Sequence, residues 1–308
     1  MPGHVAVVIV GYRNRGDIQL CLKALAAQTH AAFEVVICEN GGHDACVALA
    51  ADLPERLSCG QRVTLICARD NLGYAGGVNL GLSATPDADA WWILNPDTQP
   101  DPSALELMLQ RLHEVDCEAV GSLMVDSRQR VLGSGYTYNF WTGYSQALHR
   151  GRSAHKPIEQ AEVEARMTFI SGASMLVSRR YVEVAGLMRE DYFLYCEETE
   201  WCERGRLRGL RLGFAAQAHV QHAQGTTTGA GGSSRDQPRL PVFLMERNAV
   251  LMVRDLYPWR WAFVAMMQLL VTTLRLARRR AWRQIGYASG GWWDGVLNRR
   301  GRPAWAAS

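Results

Sequence analysis

The chain has 308 residues, 48% of them hydrophobic and 20% charged, with a net charge of +3. That length can bury a sizeable core, and that balance excludes an intrinsically disordered chain. Basic residues crowd the last third, which excludes a uniformly nucleic-acid-binding surface and predicts one local basic patch instead.

In chain order, Ala6 to Val10 is a β-branched run that ends at Gly11, and Asp17 then caps a predicted helix with Ile18, Cys21, Leu22 and Leu25 on one face. Phe33 to Cys38 predicts a second strand closed by Glu39-Asn40-Gly41-Gly42, followed by a helix from Asp44 to Leu53. Val63 to Cys67 predicts a third strand, and the stretch from Asp70 to Asn79 after it ends in helical pattern. Trp91 to Leu94 is a short apolar run bounded by turn residues, as suits a fully buried strand. Strands that alternate with helices predict an α/β fold with a mostly parallel sheet covered on both faces. Because parallel strands point the same way, Tyr12, Glu39, Asn71 and Asp97 fall on one sheet edge, where open α/β sheets bind ligands.

Asp97 is the focus of that edge. Pro96 cannot continue a central ladder, so Asp97 sits just past a strand end, where a hard carboxylate suits Mg2+ or Mn2+ bridging to phosphates. The plain alternative is a turn before a helix that Asp101 and Pro102 cap and that carries Leu105, Leu109 and Leu112. Gly11 to Asp17 lacks the Lys-Ser/Thr of a P-loop, and no G-x-G-x-x-G follows the first strand, which weighs against ATPase and NAD chemistry.

From Val120 to Arg166 the pattern is irregular and rich in Gly and aromatics, suited either to stacking on sugars or to filling an irregular core. Glu197, Glu198 and Glu200 then open a helix among aromatic residues. The helix dipole and an i,i+4 pair of Glu200 with Arg204 explain them structurally; desolvation that raises a carboxylate into the range of a general base explains them functionally. His219 and His222 follow, and then a Gly/Ser/Thr-rich stretch from Gly225 to Ser234 that reads as a lid or a linker. The eight cysteines show no C-x-x-C spacing and the N-terminus has no signal-peptide pattern, so the expectation is a reduced, cytoplasmic chain. Trp261 to Leu274 is uncharged and too short for a confident membrane span. With Arg275, Arg278, Arg279, Arg280 and Arg283 after it, this segment fits either docking at the inner face of a membrane or packing on the preceding α/β domain.

Read together, these segments resemble the family 2 glycosyltransferases of GT-A fold, in their rhamnosyltransferase-like branch. The resemblance is carried by Gly11-Tyr12-Arg13-Asn14-Arg15, Cys38-Glu39-Asn40-Gly41-Gly42, Asp70 to Asn79, Leu94-Asn95-Pro96-Asp97-Thr98, Ser171 to Leu176, Phe193 to Cys202, His222 with Gly225, and Arg247-Asn248. It implies a catalytic domain over 1–235, with a nucleotide-binding half to about residue 115 and an acceptor half beyond it, and a helical basic extension over 236–308. Tyr12, Glu39, Asn71, Gly76, Gly77, Asn79 and Asn95 would bind the nucleotide-sugar donor, Asp97 and His222 a divalent metal, and Glu198 or its neighbour Glu197 would be the catalytic base. Glu39, Glu198 and Glu200 each stand where the family has aspartate. The implied reaction is inverting, metal-dependent transfer of one sugar, best matched by rhamnose from dTDP-rhamnose, to a cell-surface polysaccharide or lipid-linked glycan. A sugar nucleotidyltransferase and a non-catalytic nucleotide-sugar or glycan-binding module are the alternatives.

Overall fold

The computed structural model describes residues 3–114, 117–223 and 234–306. β1 (Val5–Gly11), α1 (Arg15–Ala26), β2 (Phe33–Glu39), α2 (His43–Ala50), β3 (Val63–Cys67), α3 (Gly73–Ala84) and β4 (Ala90–Leu94) alternate as expected. Then follow β5 (Thr98–Pro100), α4 (Ala104–Glu114), β6 (Ala119–Val125), β7 (Val131–Gly133), β8 (Tyr136–Asn139), β9 (Tyr144–Ala147), α5 (Gln160–Arg166), β10 (Ser174–Ser178), α6 (Arg179–Ala185), α7 (Glu197–Leu207) and β11 (Leu212–His222). Three helices close the chain: α8 (Arg239–Leu256), α9 (Trp261–Arg278) and α10 (Trp282–Val296).

The main sheet runs β3-β2-β1-β4-β10-β6-β11-β5, with β7 beside β6. β1 pairs in parallel with both β2 and β4, while β10 runs antiparallel to β4. Strand alternation divides the core into two layers. Val5, Val7 and Ile9 face α1 and α4, whereas Ala6 and Val8 face Ala75, Val78 and Leu82 of α3. The β-branched runs are therefore continuous because both faces of β1 are covered.

α1 begins two residues before Asp17, which lies in its first turn and not at its cap, and α2 ends at Ala50, short of the expected Leu53. β5 lies within what reads in sequence as a turn. It exists because β11 pairs with it antiparallel, Val220 opposite Pro100 and His222 opposite Thr98, and Pro100 is tolerated on this edge strand. Cys46 and Cys67, with Cα atoms 5.8 Å apart, form a disulfide, which corrects the expectation of fully reduced thiols. α2 packed against the end of β3 brings these sequence-distant cysteines within bridging range.

Leu251 and Met252 of α8 share an apolar cluster with Ala6, Val8 and Trp201, so the C-terminal segment is joined to the core of the main sheet from its first helix. α10 lies close on α8: a Cβ at Gly291 would meet the Phe243 carbonyl oxygen at 2.0 Å. No helix among the described residues is long and apolar enough to cross a membrane.

Candidate active site

The site is assembled where β4 stops. Asn95, Pro96 and Asp97 turn the chain into β5, with the Thr98 hydroxyl donating to the Asn95 carbonyl at 2.7 Å and the Asn95 amide donating to the Ala173 carbonyl at 3.0 Å. β10, antiparallel to β4, thereby lays Ser171 to Ala173 beside the turn. The β5–β11 register carries His222 to the same place, and its Nε2 lies 3.1 Å from Asp97 Oδ1. Both side chains are largely buried. Gly225 and the rest of the expected lid to residue 233 lie outside the described residues. Among the described residues no group of three or more His, Cys, Asp or Glu gathers as a metal cage. One carboxylate and one imidazole do fit a cation that keeps water and phosphate oxygens as its remaining ligands.

The second half of the site is the N-terminus of α7. Glu197 is buried and its Oε2 has no hydrogen-bond partner among the described residues, whereas Glu198 is only half-buried. Burial, followed by the charge of Glu198, pushes Glu197 well above the usual carboxylate range, and burial also raises Glu198. Glu200 is buried and bound by Arg204 at 2.8 and 2.9 Å, so the third glutamate serves the helix.

Tyr74 connects the two halves. Its hydroxyl donates to the Gly172 carbonyl at 2.6 Å. Burial, and then the charges of Glu198, Glu197 and Asp97, raise its pKa well above that of a free tyrosine. Tyr136 stands at the same centre and is pushed up to about 12, by burial first and by Glu198 among the lesser causes. Sequence reasoning counted Tyr136 among the aromatics that suit sugar stacking or an irregular core and read Tyr74 only as part of the Asp70 to Asn79 motif, giving neither a place beside the carboxylates. Only the aromatic position inside the Asp70 to Asn79 motif could have pointed to Tyr74.

The segment leading into α7 is strained. Phe193, Tyr195 and Cys196 have φ of 68°, 72° and 69°, a region unfavourable for residues with a Cβ. Asn248 holds it: its side-chain amide donates to the carbonyls of Tyr192, Leu194 and Tyr195 at 3.0, 2.8 and 2.9 Å. Arg247, buried alongside, donates to the Tyr192 carbonyl at 2.8 Å and to the Gly301 carbonyl at 2.6 Å. On the other side Tyr74 N donates to the Phe193 carbonyl at 3.0 Å, and Gly73, at φ +74°, leaves room where a Cβ would stand 2.0 Å from that oxygen. Asn248→Ala is expected to cost about 1–3 kcal/mol by stranding loop carbonyls and to lower kcat with little change in donor KM. Thermal unfolding and steady-state kinetics check this, and full kcat in the variant would show that the loop holds itself.

The expected donor residues are spread along the edge. Tyr12 is half-buried beside Arg13, and Asn71 closes a local turn by accepting from the Gly73 amide at 3.0 Å. Glu39 is buried, and its Oε1 accepts from the amides of Arg13 and Gly41 at 3.0 and 2.6 Å, so it ties the first two loops together. A cavity of about 610 Å3 lined by Arg13, Arg15, Glu39, Gly41, His43 and Asp44 opens there; it does not extend to Asp97. Gly76 and Gly77 serve packing, since a Cβ on Gly77 would meet Val10 Cγ1 at 2.5 Å and one on Gly76 would meet Leu72 Cβ at 2.6 Å. Asn79 is buried, with its amide group occupied by Met188 and Glu190, so any influence it has on a donor pocket passes through that turn.

Residues 2–236 match the family described as glycosyltransferase like family 2. The chain is 22% identical over 317 residues to the low-salt glycan biosynthesis hexosyltransferase Agl10 of Haloferax volcanii, covering 98% of this chain and 94% of that protein. It is 24% identical over 281 residues to the N-acetylglucosaminyl-diphospho-decaprenol L-rhamnosyltransferase of Mycobacterium tuberculosis, covering 81% of this chain and 86% of that one. Among solved structures, GalNAc-T7 with UDP, GalNAc and Mn2+ aligns with a TM-score of 0.66 at 13% identity. That alignment covers 86% of this chain and 50% of the other, so the chain spans half of that neighbour's length.

Proposed function

Because the chain belongs to the glycosyltransferase like family 2, we propose that this glycosyltransferase moves one sugar, with inversion, from a nucleoside-diphosphate donor to a glycan carried on a lipid diphosphate or a cell-surface polysaccharide. The observation that supports this reading most is His222 beside Asp97, with Tyr74 near enough to feel the charges of Asp97, Glu197 and Glu198. Rhamnose from dTDP-rhamnose is the preferred donor sugar, supported by the mycobacterial relative's name and by the motifs from Asp70 to Asn79 and Leu94 to Thr98.

Asp97 and His222 would hold Mg2+ or Mn2+, which neutralises charge on the departing diphosphate when bound. The protein's own part is proton removal. Glu198, raised by burial yet reachable from solvent, takes the proton of the attacking acceptor hydroxyl. Glu197 lies deeper than Glu198, and burial favours its protonated form, which limits like-charge repulsion next to the base. A bond forms from the acceptor oxygen to the anomeric carbon as the bond from that carbon to the β-phosphate oxygen breaks. One base and a single displacement invert the centre, whereas retention through a covalent intermediate would call for a carboxylate nucleophile. Membrane attachment through the basic C-terminal helices accords with a lipid-carried acceptor.

A donor panel tests the reading: dTDP-rhamnose, UDP-glucose, UDP-galactose, UDP-galactofuranose and GDP-mannose, each with Mn2+ or Mg2+. Selective, metal-dependent thermal stabilisation and slow hydrolysis with one of them is the expected result. Pyrophosphate release from a nucleoside triphosphate would replace it with a nucleotidyltransferase, and binding without any turnover would replace it with a binding module.

A further inference from the structure

α9 has two unlike faces. Val264, Ala265, Gln268, Thr272 and Leu276 are buried, and this face is fixed by Gln268 donating to the Ala249 carbonyl, Thr272 donating to Glu246, and Trp292 donating to the Ala265 carbonyl. The opposite face, with the turn before it, presents Trp259, Phe263, Met266, Leu270 and Leu274 at spacings of three and four residues, a continuous helical stripe. All five are exposed, Trp259 at 77% and Met266 at 69%. The tip of the β8–β9 hairpin extends the stripe: exposed Trp141 meets Phe263 edge-on with ring centroids 6.3 Å apart, and the Arg260 guanidinium stacks over Trp141 at 4.7 Å. An apolar stripe flanked by exposed tryptophans and arginines is the make-up of a surface that enters the headgroup boundary of a bilayer.

Charge selects the occupant. From Tyr257 to Trp293 there is no acidic residue, while Arg260, Arg275, Arg278, Arg279, Arg280 and Arg283 lie in that span. A second copy laid on the same face in a two-fold contact would bring the same patch and no counter-charge. A surface of anionic headgroups supplies both the apolar layer and the negative charge.

We propose that the exposed face of α9, together with Trp141 at the hairpin tip, docks the protein on an anionic lipid bilayer. The docking is interfacial, with the helix lying in the plane of the membrane. On the transferase reading, β8 then links the two regions, because Tyr136 is near enough to feel the charge of Glu198 while Trp141 is no more than about 17 Å further along the extended chain. A lipid-carried acceptor would reach the base without leaving the membrane.

The test uses the full chain and sedimentation with vesicles of phosphatidylcholine alone or with about a third phosphatidylglycerol. Wild type is expected to bind the anionic vesicles and to be released by salt. The triple variant Phe263→Asp, Met266→Asp, Leu270→Asp is expected to lose binding by about tenfold or more. Arg278→Gln, Arg280→Gln, Arg283→Gln is expected to weaken binding and flatten its salt dependence. These positions are exposed, so folding and donor hydrolysis are expected to persist in both variants. Absence of vesicle binding by wild type, binding untouched by the aspartates, or a concentration-dependent dimer that the aspartates dissolve would each overturn the proposal. Vesicle binding is read without donor or acceptor, so its failure and that of the transferase reading are separable.

Discussion

Glu198→Gln is expected to lower sugar transfer by about two to four orders of magnitude while donor affinity changes little. The amide keeps the shape of the side chain at the start of α7 and cannot accept a proton from the acceptor. Glu197→Gln is expected to cost far less, because Glu197 is buried whereas Glu198 is half-exposed to an arriving acceptor. The pH profile provides an independent check. Burial raises Glu198, so a larger fraction of it is protonated, and inactive as a base, at mildly acidic pH than for an ordinary glutamate. The acid limb of kcat is therefore expected above the usual carboxylate range, with activity rising as pH increases through it, and it is expected to vanish in whatever residual rate Glu198→Gln retains. Steady-state kinetics across pH with donor saturating measure both effects. An unchanged rate in the glutamine variant would remove Glu198 from the reaction.

Removing the divalent ion with EDTA is expected to suppress transfer by about a thousandfold, the equivalent of several kcal/mol of lost charge stabilisation, and added Mn2+ is expected to restore it. Asp97→Asn should reproduce most of that loss, and EDTA should then add little, since both act on one contribution. His222→Ala should follow with a smaller loss, because the carboxylate carries the formal charge of the pair. Mn2+ binding measured directly on the variants separates a lost ion from a damaged fold. Full EDTA-resistant transfer by wild type would dismiss the metal and leave the Asp97–His222 contact as a structural pair.

The parts of this architecture that were readable in sequence are those determined within a few residues of chain. β1, β2 and β4 show themselves because strands covered on both faces become unbroken apolar runs, and the Glu200–Arg204 pair follows from helical spacing alone. β5 was hidden because three residues ending in proline become a strand only when β11, more than a hundred residues later, pairs with them. The strain at Phe193, Tyr195 and Cys196 has no local sign at all: none is glycine or asparagine, and the conformation is imposed by Asn248 and Arg247 from another helix. Cys46 and Cys67 meet for the same kind of reason, across the packing of α2 on the sheet. For Asp97 with His222, residue chemistry alone identified the carboxylate, while its partner came only through the family resemblance and lies beside it because of the β5–β11 register.

The contact between Arg247 and the Gly301 carbonyl has a consequence in time. Gly301 also donates its amide to the Asp191 carbonyl at 2.7 Å, and Arg300 joins Asp191 and Asp255 at 2.9 and 2.7 Å. β1 to β4 emerge from the ribosome early, but the loop leading into α7 gains its last supports only after residues 300 and 301 have been synthesised. A nascent chain is thus expected to bind a donor before it can transfer its sugar. Maturation of the enzyme is expected to lag behind folding of its first half, and proteolytic trimming a few residues inside the C-terminal segment should silence a catalyst whose sheet remains intact. Limited carboxypeptidase digestion, with donor binding and transfer followed in parallel, would expose that order.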